Sequence, residues 1–573
     1  MIFFLRKTFF LTLTEFKGYI ILLYKALSIY EKVLIFSIGS LLILLFAIGL
    51  MTPPNTWDSM TYHMARVMHW IQNQSVDHYP SHIIRQHYQP PFAEYIILHL
   101  QLLSGTDQWA NLVQWSFLIG ILISVSLLGK ELGTNRTTQI VSMFLAITLP
   151  LAILEGNSTQ NDLVSSFWVL TCVYFILQLR KLSSFVLAAI CTGLALSIAV
   201  FTKSTSYLWL FPFCFWMGFY LLFIQKQFRY VISLITILLI SILLINTGHF
   251  YRNHKIYGHI LGGTSQERAS YVNASHTLPK LTSNVIRNID LHLRTPFYYW
   301  NRSIRLATLK IHHWLGLTMH DPDITYFSSG NLPFYESWRD FDESASGNFF
   351  HFLLLIFTCF AFLKYKNDLF SSNRIAYLYL GSCIITFFLF CIYLRWQEWH
   401  VRLHLPLFLL FMPLCAIIIS QRKAINTSVI IVLLFFALLC ILFNNNKPII
   451  PNNYNQYYTI YRKSYKELYN KQSHQYQKIG NYISSLGVNK VGLILGINDG
   501  DYLFWIFLQD ASKSQITIKH INIENPSKVL ESTAFIPDCI ISTKNDTDTI
   551  IVRNEVYSKV KDIVPAHIYK LIK

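Results

Sequence analysis

Long runs of apolar residues, almost without charges, dominate this chain. A helix needs about 20 consecutive, mostly apolar residues to cross the hydrocarbon core of a bilayer. The pattern therefore predicts an all-α polytopic membrane protein with about eleven transmembrane helices. The predicted spans lie near 33–51, 110–129, 138–154, 163–179, 184–201, 207–224, 230–247, 349–363, 375–394, 404–420 and 425–443.

The polar segments between the spans divide the chain into three parts. Residues 1–32 mix Phe and Leu with spaced Lys, Arg and Glu, which predicts a helix in the cytoplasmic interface. Residues 33–443 form the membrane module, whose two long loops, 52–108 and 248–348, lie on the outer side. The tail, 444–573, is long enough for one small domain. Loops of this size indicate a site built above the membrane.

The tail has the alternation of a small α/β domain. Residues 460–487 predict a helix, and β-like runs follow at 491–497, 515–523 and 539–543. The Asn- and Pro-rich stretch 444–451 predicts a linker between the last span and this domain.

Composition and charge sharpen the membrane prediction. The chain is 53% hydrophobic and 13% charged, whereas soluble proteins carry about 25% charged residues. The net charge of +17 falls mainly in every second short loop, as the positive-inside rule requires, so it indicates topology and not nucleic acid. The N-terminus is then cytoplasmic and the tail extracytoplasmic. The abundance of Ile, Lys, Asn, Tyr and Phe, with no organellar signal, favours a bacterial inner membrane.

The first outer loop begins with an acid at the membrane boundary. Asp58 follows the first span, and residues 58–72 have a helical period. Partial desolvation there raises the basicity of a carboxylate, which favours a catalytic base. The alternative is that Asp58 only caps this helix. The loop also holds six histidines without a metal-ligand spacing, which leaves a divalent metal open.

Further charges fall on the same side in other outer loops. Asp162 starts an apolar span, so it is either an N-cap or a second acid facing Asp58. Lys203 lies in an outer loop where the positive-inside rule disfavours cations, and a phosphate partner or snorkelling to the interface explains it. Arg395 and Arg402, beside two tryptophans, suit a phosphate and an interfacial anchor.

Several outer segments together resemble the GT-C superfamily of membrane glycosyltransferases, most closely the family of protein O-mannosyltransferases and aminoarabinose transferases. The resemblance covers roughly residues 33–443. It rests on WDSMTYHMARVMHWIQN after the first span, QPPFAEY (89–95), NSTQNDLVSSFW (157–168), LALSIAVFTKSTSYLWLFPF (194–213), GHFYRNHKIYG (248–258) and LRWQEWHVRLHLPLF (394–408).

The resemblance implies an inverting transfer of a sugar from a polyprenyl-phosphate donor to an extracytoplasmic lipid, glycan or protein. Asp58 matches the family's general base, Asp162 its second acid, and Lys203 a cation that holds the lipid phosphate. The further phosphate candidates are Arg395, Arg402, Arg66 and Arg252, and the substrate-binding candidates are Tyr62, His63, Gln89, Glu94, Gln160 and Asn161.

Two departures and two alternatives accompany this resemblance. Many relatives have two adjacent acids where Asp58 is followed by Ser59, and some have Lys where this chain has Gln89. The second departure bears on the identity of the donor. A transporter or flippase of lipid-linked glycans is the main alternative, but the predicted spans are almost free of charged residues, which disfavours a transport path. A receptor or scaffold whose acids only cap helices is the other.

Overall fold

The structure is a computed structural model of the whole chain. It describes residues 24–326, 341–364, 374–450, 465–469, 472–512, 515–544 and 546–572. The interfacial helix predicted within 1–32 therefore lies mostly outside the described residues.

The described chain is a helical bundle with a small sheet domain at one end. The bundle and its loops contain nineteen described α-helices. They are α1 (Ile29–Met51), α2 (Met64–Asn73), α3 (Arg85–Tyr88), α4 (Phe92–Ser104), α5 (Leu112–Glu131), α6 (Arg136–Ile147), α7 (Pro150–Glu155), α8 (Asp162–Gln178), α9 (Phe185–Thr202), α10 (Ser206–Phe219), α11 (Phe228–Tyr257), α12 (Ser265–Tyr271), α13 (Leu278–Leu293), α14 (Tyr298–Trp314), α15 (Phe349–Lys364), α16 (Arg374–Tyr393), α17 (His400–Leu403), α18 (Leu405–Ile419) and α19 (Lys423–Leu442).

Within the described residues, seven helices are long and apolar enough to cross a membrane, and each falls on a predicted span. The other four predicted spans fall on shorter helices: α8, α15 and α18 are continuous, whereas 138–154 is split between α6 and α7. Pro150 explains the split, because proline has no backbone N–H to donate to a helical hydrogen bond. It also disfavours helical geometry in the preceding residue. The chain is an integral membrane protein, and the count of eleven crossings stays a prediction.

Ion pairs show which loops lie at the same end of the bundle. At one end, Glu31 at the start of α1 accepts a hydrogen bond from Arg136 at 2.9 Å, and Glu131 pairs with Arg180 at 3.2 Å. Asp58 lies beyond the other end of α1. Short loops predicted to share a side therefore share an end of the bundle. Which end faces the cytoplasm stays a prediction.

The tail forms the predicted α/β domain. It contains α20 (Ser473–Ser485), β1 (Lys490–Ile494), α21 (Asp501–Ala511), β2 (Thr517–His520) and β3 (Cys539–Ser542), followed by β4 (Thr549–Val552), β5 (Glu555–Ile563) and β6 (Ala566–Leu571). The sheet order is β2-β1-β3-β6-β5-β4; the first three strands are parallel and the last three antiparallel. The predicted strands fall on β1, β2 and β3, whereas the antiparallel half was not predicted.

The tail and the first outer loop share one apolar core. Met64 and Trp70 of α2 belong to the same buried cluster as Trp505 of α21 and Ile518 of β2. Polar contacts reinforce this core, since Gln72 exchanges two hydrogen bonds of 2.8 Å with the backbone of Ile518. The loop and the tail are therefore on the same side of the bundle, as the predicted topology requires.

Candidate active site

Asp58 lies at the end of the bundle opposite to Glu31 and does not cap a helix. It precedes a single π-helical turn, Ser59–His63, and its side chain makes no capping hydrogen bond. Its carboxylate instead accepts a hydrogen bond of 2.6 Å from Nη2 of Arg402. π-Helical turns occur frequently at functional sites. The capping interpretation of Asp58 is therefore wrong.

Asp162 also forms an ion pair and does not cap its helix. It is the first residue of α8, and the capping position, Asn161, makes no side-chain capping bond. Asp162 accepts a hydrogen bond from Lys203, which follows α9. This pairing also replaces the snorkelling interpretation of Lys203.

The two ion pairs belong to one site. Ser59, next to Asp58, is hydrogen bonded to Thr159, which lies in the short loop between α7 and α8. Arg402 is within electrostatic reach of both Asp58 and Asp162, and their charges hold the pKa of its guanidinium above the usual range despite burial. Burial raises the pKa of Asp58, but the charges of Arg402 and Arg85 outweigh burial and hold it well below its usual range.

Glu155 is a third acid at this site. It ends α7, is fully buried, and accepts a hydrogen bond of 3.2 Å from Gln114. Burial, and secondarily the charge of Asp162, raises the pKa of Glu155 well above its usual range. The sequence placed Glu155 in the same loop as Asp162 but gave it no role. Its neutral form adds a hydrogen-bonding group to the site without adding charge.

Polar atoms around the ion pairs are left without protein partners. Buried polar groups in proteins are normally hydrogen bonded. Within the described residues, these exceptions combine guanidinium donors with carboxyl and amide acceptors, a set that suits an anionic group bearing hydroxyls. They are Nε and Nη1 of Arg402, Oδ2 of Asp162, Oε1 of Glu155, Oε1 of Gln160 and Oδ1 of Asn161.

Four predicted residues form a separate cluster within the first loop, three of them buried and Gln89 half-buried. His63 Nδ1 lies 2.7 Å from Glu94, and Arg66 lies 3.4 Å from the same carboxylate. Arg66 also donates to the backbone oxygen of Gln89 at 3.0 Å. Tyr62 connects this cluster with the acid site. It is buried, and burial followed by the charge of Asp58 raises the pKa of its hydroxyl.

Two predicted cations lie apart from the acids. Arg395 donates through Nε to the backbone oxygen of Val272 at 2.9 Å. Arg252 donates to the hydroxyl of Tyr95 at 2.8 Å. Neither has an ion pair with Asp58 or Asp162 among the described contacts, and their roles as phosphate contacts stay predictions.

Lys447, which lies in the predicted linker, is buried beside the short loop between α7 and α8. Lys447 is 2% exposed and donates to the backbone oxygen of Asn157. Burial lowers the pKa of Lys447 to about 7, and the charge of Glu343 opposes that effect. Residues 444–447 thus belong to the wall of the site. The positive-inside rule singled out Lys203 as an unexpected cation. The same rule applies to Lys447, which follows the last predicted span, 425–443.

One buried group has the ligand types of a divalent metal site. His69, Asp501 and His520 place their ligand atoms within 4.8 Å of one another at the boundary of loop and tail. A metal-bound imidazole nitrogen requires the ring proton on the other nitrogen. Nδ1 of His520 instead accepts the backbone N–H of His82 at 3.1 Å, so Nε2 carries the proton and faces Asp501 at 3.2 Å. This hydrogen bond disfavours Nε2 as a metal ligand, but Nε2 also has no hydrogen-bond partner in the protein, so a divalent metal at this group stays a prediction.

The arrangement defines a class of protein: an integral membrane bundle in which acids and cations from distant loops come together at one end. No family description and no curated protein matches the chain by sequence. The fold is similar to that of ArnT from Cupriavidus metallidurans. For the form bound to undecaprenyl phosphate the TM-score is 0.51 at 10% identity, covering 93% of this chain and 97% of that one.

The apo form of ArnT gives the same result. Its TM-score is 0.52 at 10% identity, covering 95% of this chain and 98% of ArnT. ArnT is a member of the GT-C superfamily, so the resemblance read from the sequence is confirmed at the level of the fold. Because the match extends over nearly the whole of both chains, it includes the tail as well as the bundle.

Proposed function

We propose that this protein is a membrane glycosyltransferase that moves a hexosyl or pentosyl unit from a polyprenyl-phosphate donor to an extracytoplasmic acceptor, with inversion. The observation that carries the proposal is the cluster of two ion pairs, Asp58–Arg402 and Asp162–Lys203, surrounded by unpartnered donors and acceptors. Such a cluster matches a sugar phosphate, which offers both an anion and hydroxyl groups.

Each group has a role in the transfer. Asp58 takes the proton from the acceptor hydroxyl, whose oxygen bonds to the anomeric carbon as the bond from that carbon to the phosphate oxygen breaks. The polyprenyl phosphate leaves as an anion, and Arg402 and Lys203 stabilise its charge. Asp162 holds Lys203 in place through their ion pair. No step in this scheme passes through a metal or a nucleotide.

Arg402 couples donor binding to the basicity of Asp58. In the structure its guanidinium lies against Asp58 and holds the pKa of that carboxyl low. A donor phosphate that draws on the same guanidinium weakens this pair, and the pKa of Asp58 rises. The base then becomes effective when the donor is bound.

The similarity to ArnT supports a lipid-phosphate donor, since ArnT was solved with undecaprenyl phosphate bound. Residues 33–443 would form the catalytic module in a bacterial inner membrane, with the tail on the extracytoplasmic side. The acceptor would be a lipid, a glycan or a protein reached from that side.

Binding of undecaprenyl phosphate tests the donor site directly. We expect Lys203→Met and Arg402→Gln, in full-length protein in nanodiscs, each to weaken binding about tenfold or more, because each removes a charge-assisted contact. Lys226→Met is the matched control, since Lys226 is exposed in a loop between α10 and α11. Unchanged affinity in both site variants, with normal folding, would contradict the proposal.

Transfer itself is tested in cells. Mass spectrometry of envelope glycolipids and glycoproteins is compared between cells with and without the protein. We expect one glycosylated species to disappear without it. Identical profiles would contradict the proposal. A lost product together with no transfer by the purified protein from a polyprenyl-phosphate sugar would favour the transporter alternative.

A further inference from the structure

Arg85 joins the tail domain to the neighbourhood of Asp58. Its Nη2 donates to Oδ1 of Asn498 at 2.8 Å and to the backbone oxygen of Ile497 at 3.3 Å. Its guanidinium also lies over the ring of Tyr62, 5.8 Å from the centroid. Because Arg85 is one of the charges that lower the pKa of Asp58, the tail reaches the catalytic end through this residue.

Asn498 occupies a favourable place for ligand recognition. It lies in the loop between β1 and α21, at the carboxyl end of the strand that is flanked by parallel neighbours on both sides. Ligands of open α/β sheets bind at this kind of position. The loop is held in shape by Asp499, which accepts hydrogen bonds from the backbone of Gly496 at 2.6 Å and from Thr543.

The long loop 248–348 contributes aromatic groups beside Arg85. The hydroxyl of Tyr88, in the first loop, donates to Glu267 at 2.7 Å, and the hydroxyl of Tyr271 lies 3.4 Å from that of Tyr88. The ring of Tyr271 stacks on Tyr326 with centroids 5.0 Å apart. These tyrosines and Arg85 are half-buried, so they keep an exposed side.

We infer that Arg85, Asn498 and the tyrosines Tyr88, Tyr271 and Tyr326 form the acceptor subsite, and that the acceptor presents a hydroxyl-rich glycan there. This inference rests on the proposed function. Tyrosine offers an apolar face together with a polar tip, and amide, carboxylate and guanidinium groups supply the directional hydrogen bonds that hydroxyls need. A hydrocarbon chain would cover the exposed sides of these polar groups without replacing their hydrogen bonds to water. The Arg85 contact with both Tyr62 and Asn498 places the subsite between the tail and Asp58.

Glycan binding by the full-length protein in nanodiscs tests the inference. The probe is an array of neutral oligosaccharides, together with oligosaccharides released from the cell envelope by mild acid. We expect the unaltered protein to bind at least one of them, and Asn498→Ala and Tyr88→Phe each to weaken that binding about tenfold, since each removes a hydrogen-bonding group. Asn73→Ala, at an exposed position at the end of α2, is the matched control.

Undecaprenyl phosphate binding, measured in parallel, separates this inference from the proposed function. We expect Asn498→Ala and Tyr88→Phe to leave that affinity within about twofold, because neither side chain touches the cations of the donor site. Absence of glycan binding by the unaltered protein would overturn the inference, and so would unchanged glycan binding by both variants. Lower thermal stability with unchanged glycan affinity would show that the contacts only dock the tail. If Lys203→Met and Arg402→Gln leave the affinity for undecaprenyl phosphate unchanged, the proposed function is overturned, whatever the glycan results.

Discussion

Two buried carboxylate clusters lie in the outer part of this protein, and they differ in how completely their groups are paired. Asp501, at the boundary of loop and tail, accepts hydrogen bonds from Gln86 at 2.8 Å and Trp505 at 3.2 Å, and it lies 3.3 Å from His69. The Asp58 cluster leaves two guanidinium nitrogens of Arg402 without a protein partner, whereas the Asp501 cluster leaves one imidazole nitrogen, Nε2 of His520.

The difference separates a structural cluster from a binding site. A buried carboxylate whose two oxygens both accept hydrogen bonds from the protein, as those of Asp501 do, rigidifies its surroundings. A buried cluster with unpaired donors is less stable by itself and gains from a ligand that completes the pairing. Burial and a lowered pKa are common to both Asp58 and Asp501, so neither property alone identifies the catalytic group.

The sharpest test of this comparison is Asp58→Asn. We expect transfer to fall about 100-fold to 10,000-fold, since the substitution removes the general base and keeps the side-chain shape. Thermal stability should decrease less than in Asp501→Asn, because the carboxylate of Asp58 accepts from Arg402, whereas that of Asp501 accepts from both Gln86 and Trp505. The measurement is sugar transfer from a polyprenyl-phosphate donor by protein in nanodiscs.

Asp77→Asn is the matched control for Asp58, because Asp77 is an exposed acid of the same loop. Its transfer rate should stay unchanged. Full activity in Asp58→Asn would remove this residue from the chemistry and return it to a structural role.

Asp501→Asn should have the opposite profile. We expect a loss of about 3 kcal/mol in unfolding free energy, because the amide presents N–H groups to donors that lose their acceptor. The protein that remains folded should keep its transfer rate. The measurement is thermal unfolding followed by transfer on the folded fraction.

A chelator distinguishes the two interpretations of the Asp501 cluster. If the cluster is held by hydrogen bonds alone, EDTA leaves the unfolding temperature of the unaltered protein unchanged. A marked decrease in that temperature would show that His69, Asp501 and His520 hold a metal.

The smallest expected effect belongs to Glu155→Gln. Because its pKa is raised from an ordinary value of 4.5, the folded protein binds a proton there that the unfolded chain has lost. Stability therefore decreases as pH rises above about 4.5, until the raised pKa is passed. Glutamine resembles the neutral form, so we expect this variant to keep most of its activity and to show a flatter dependence of unfolding temperature on pH from 5 to 8.

Glu155→Asp is the control, since it keeps a carboxyl group that can ionise and shortens the side chain. We expect it to lose more activity than Glu155→Gln. The reverse order would mean that Glu155 works as an ionised carboxylate.

The bundle was predictable because burial in lipid requires long uncharged segments, which are visible in the sequence. The location of seven spans followed directly from them. The split at Pro150 was not predicted, because a single proline lies there within a continuous apolar run. The antiparallel strands β4, β5 and β6 were missed, since their alternation is short and is interrupted by charged residues that face solvent.

The site was predictable to the extent that sidedness constrains it. Asp58, Asp162, Lys203 and Arg402 come together in the structure because four loops share one end of the bundle. The partner of each charge was not predictable, since pairing depends on rotation of helices about their axes. Arg85 was missed because it lies in a long loop, where the positive-inside rule gives no information.

The common core of the first outer loop and the tail has a consequence for biogenesis. The contact between His69 and Asp501 joins residues separated by 432 positions. During synthesis the loop emerges early, and its apolar face stays uncovered until nearly the entire polypeptide has been translated. The last segment must also reach the same side of the membrane before it can cover that face. A truncated product would therefore carry an incompletely folded loop next to Asp58, so that catalytic competence depends on completion of the chain.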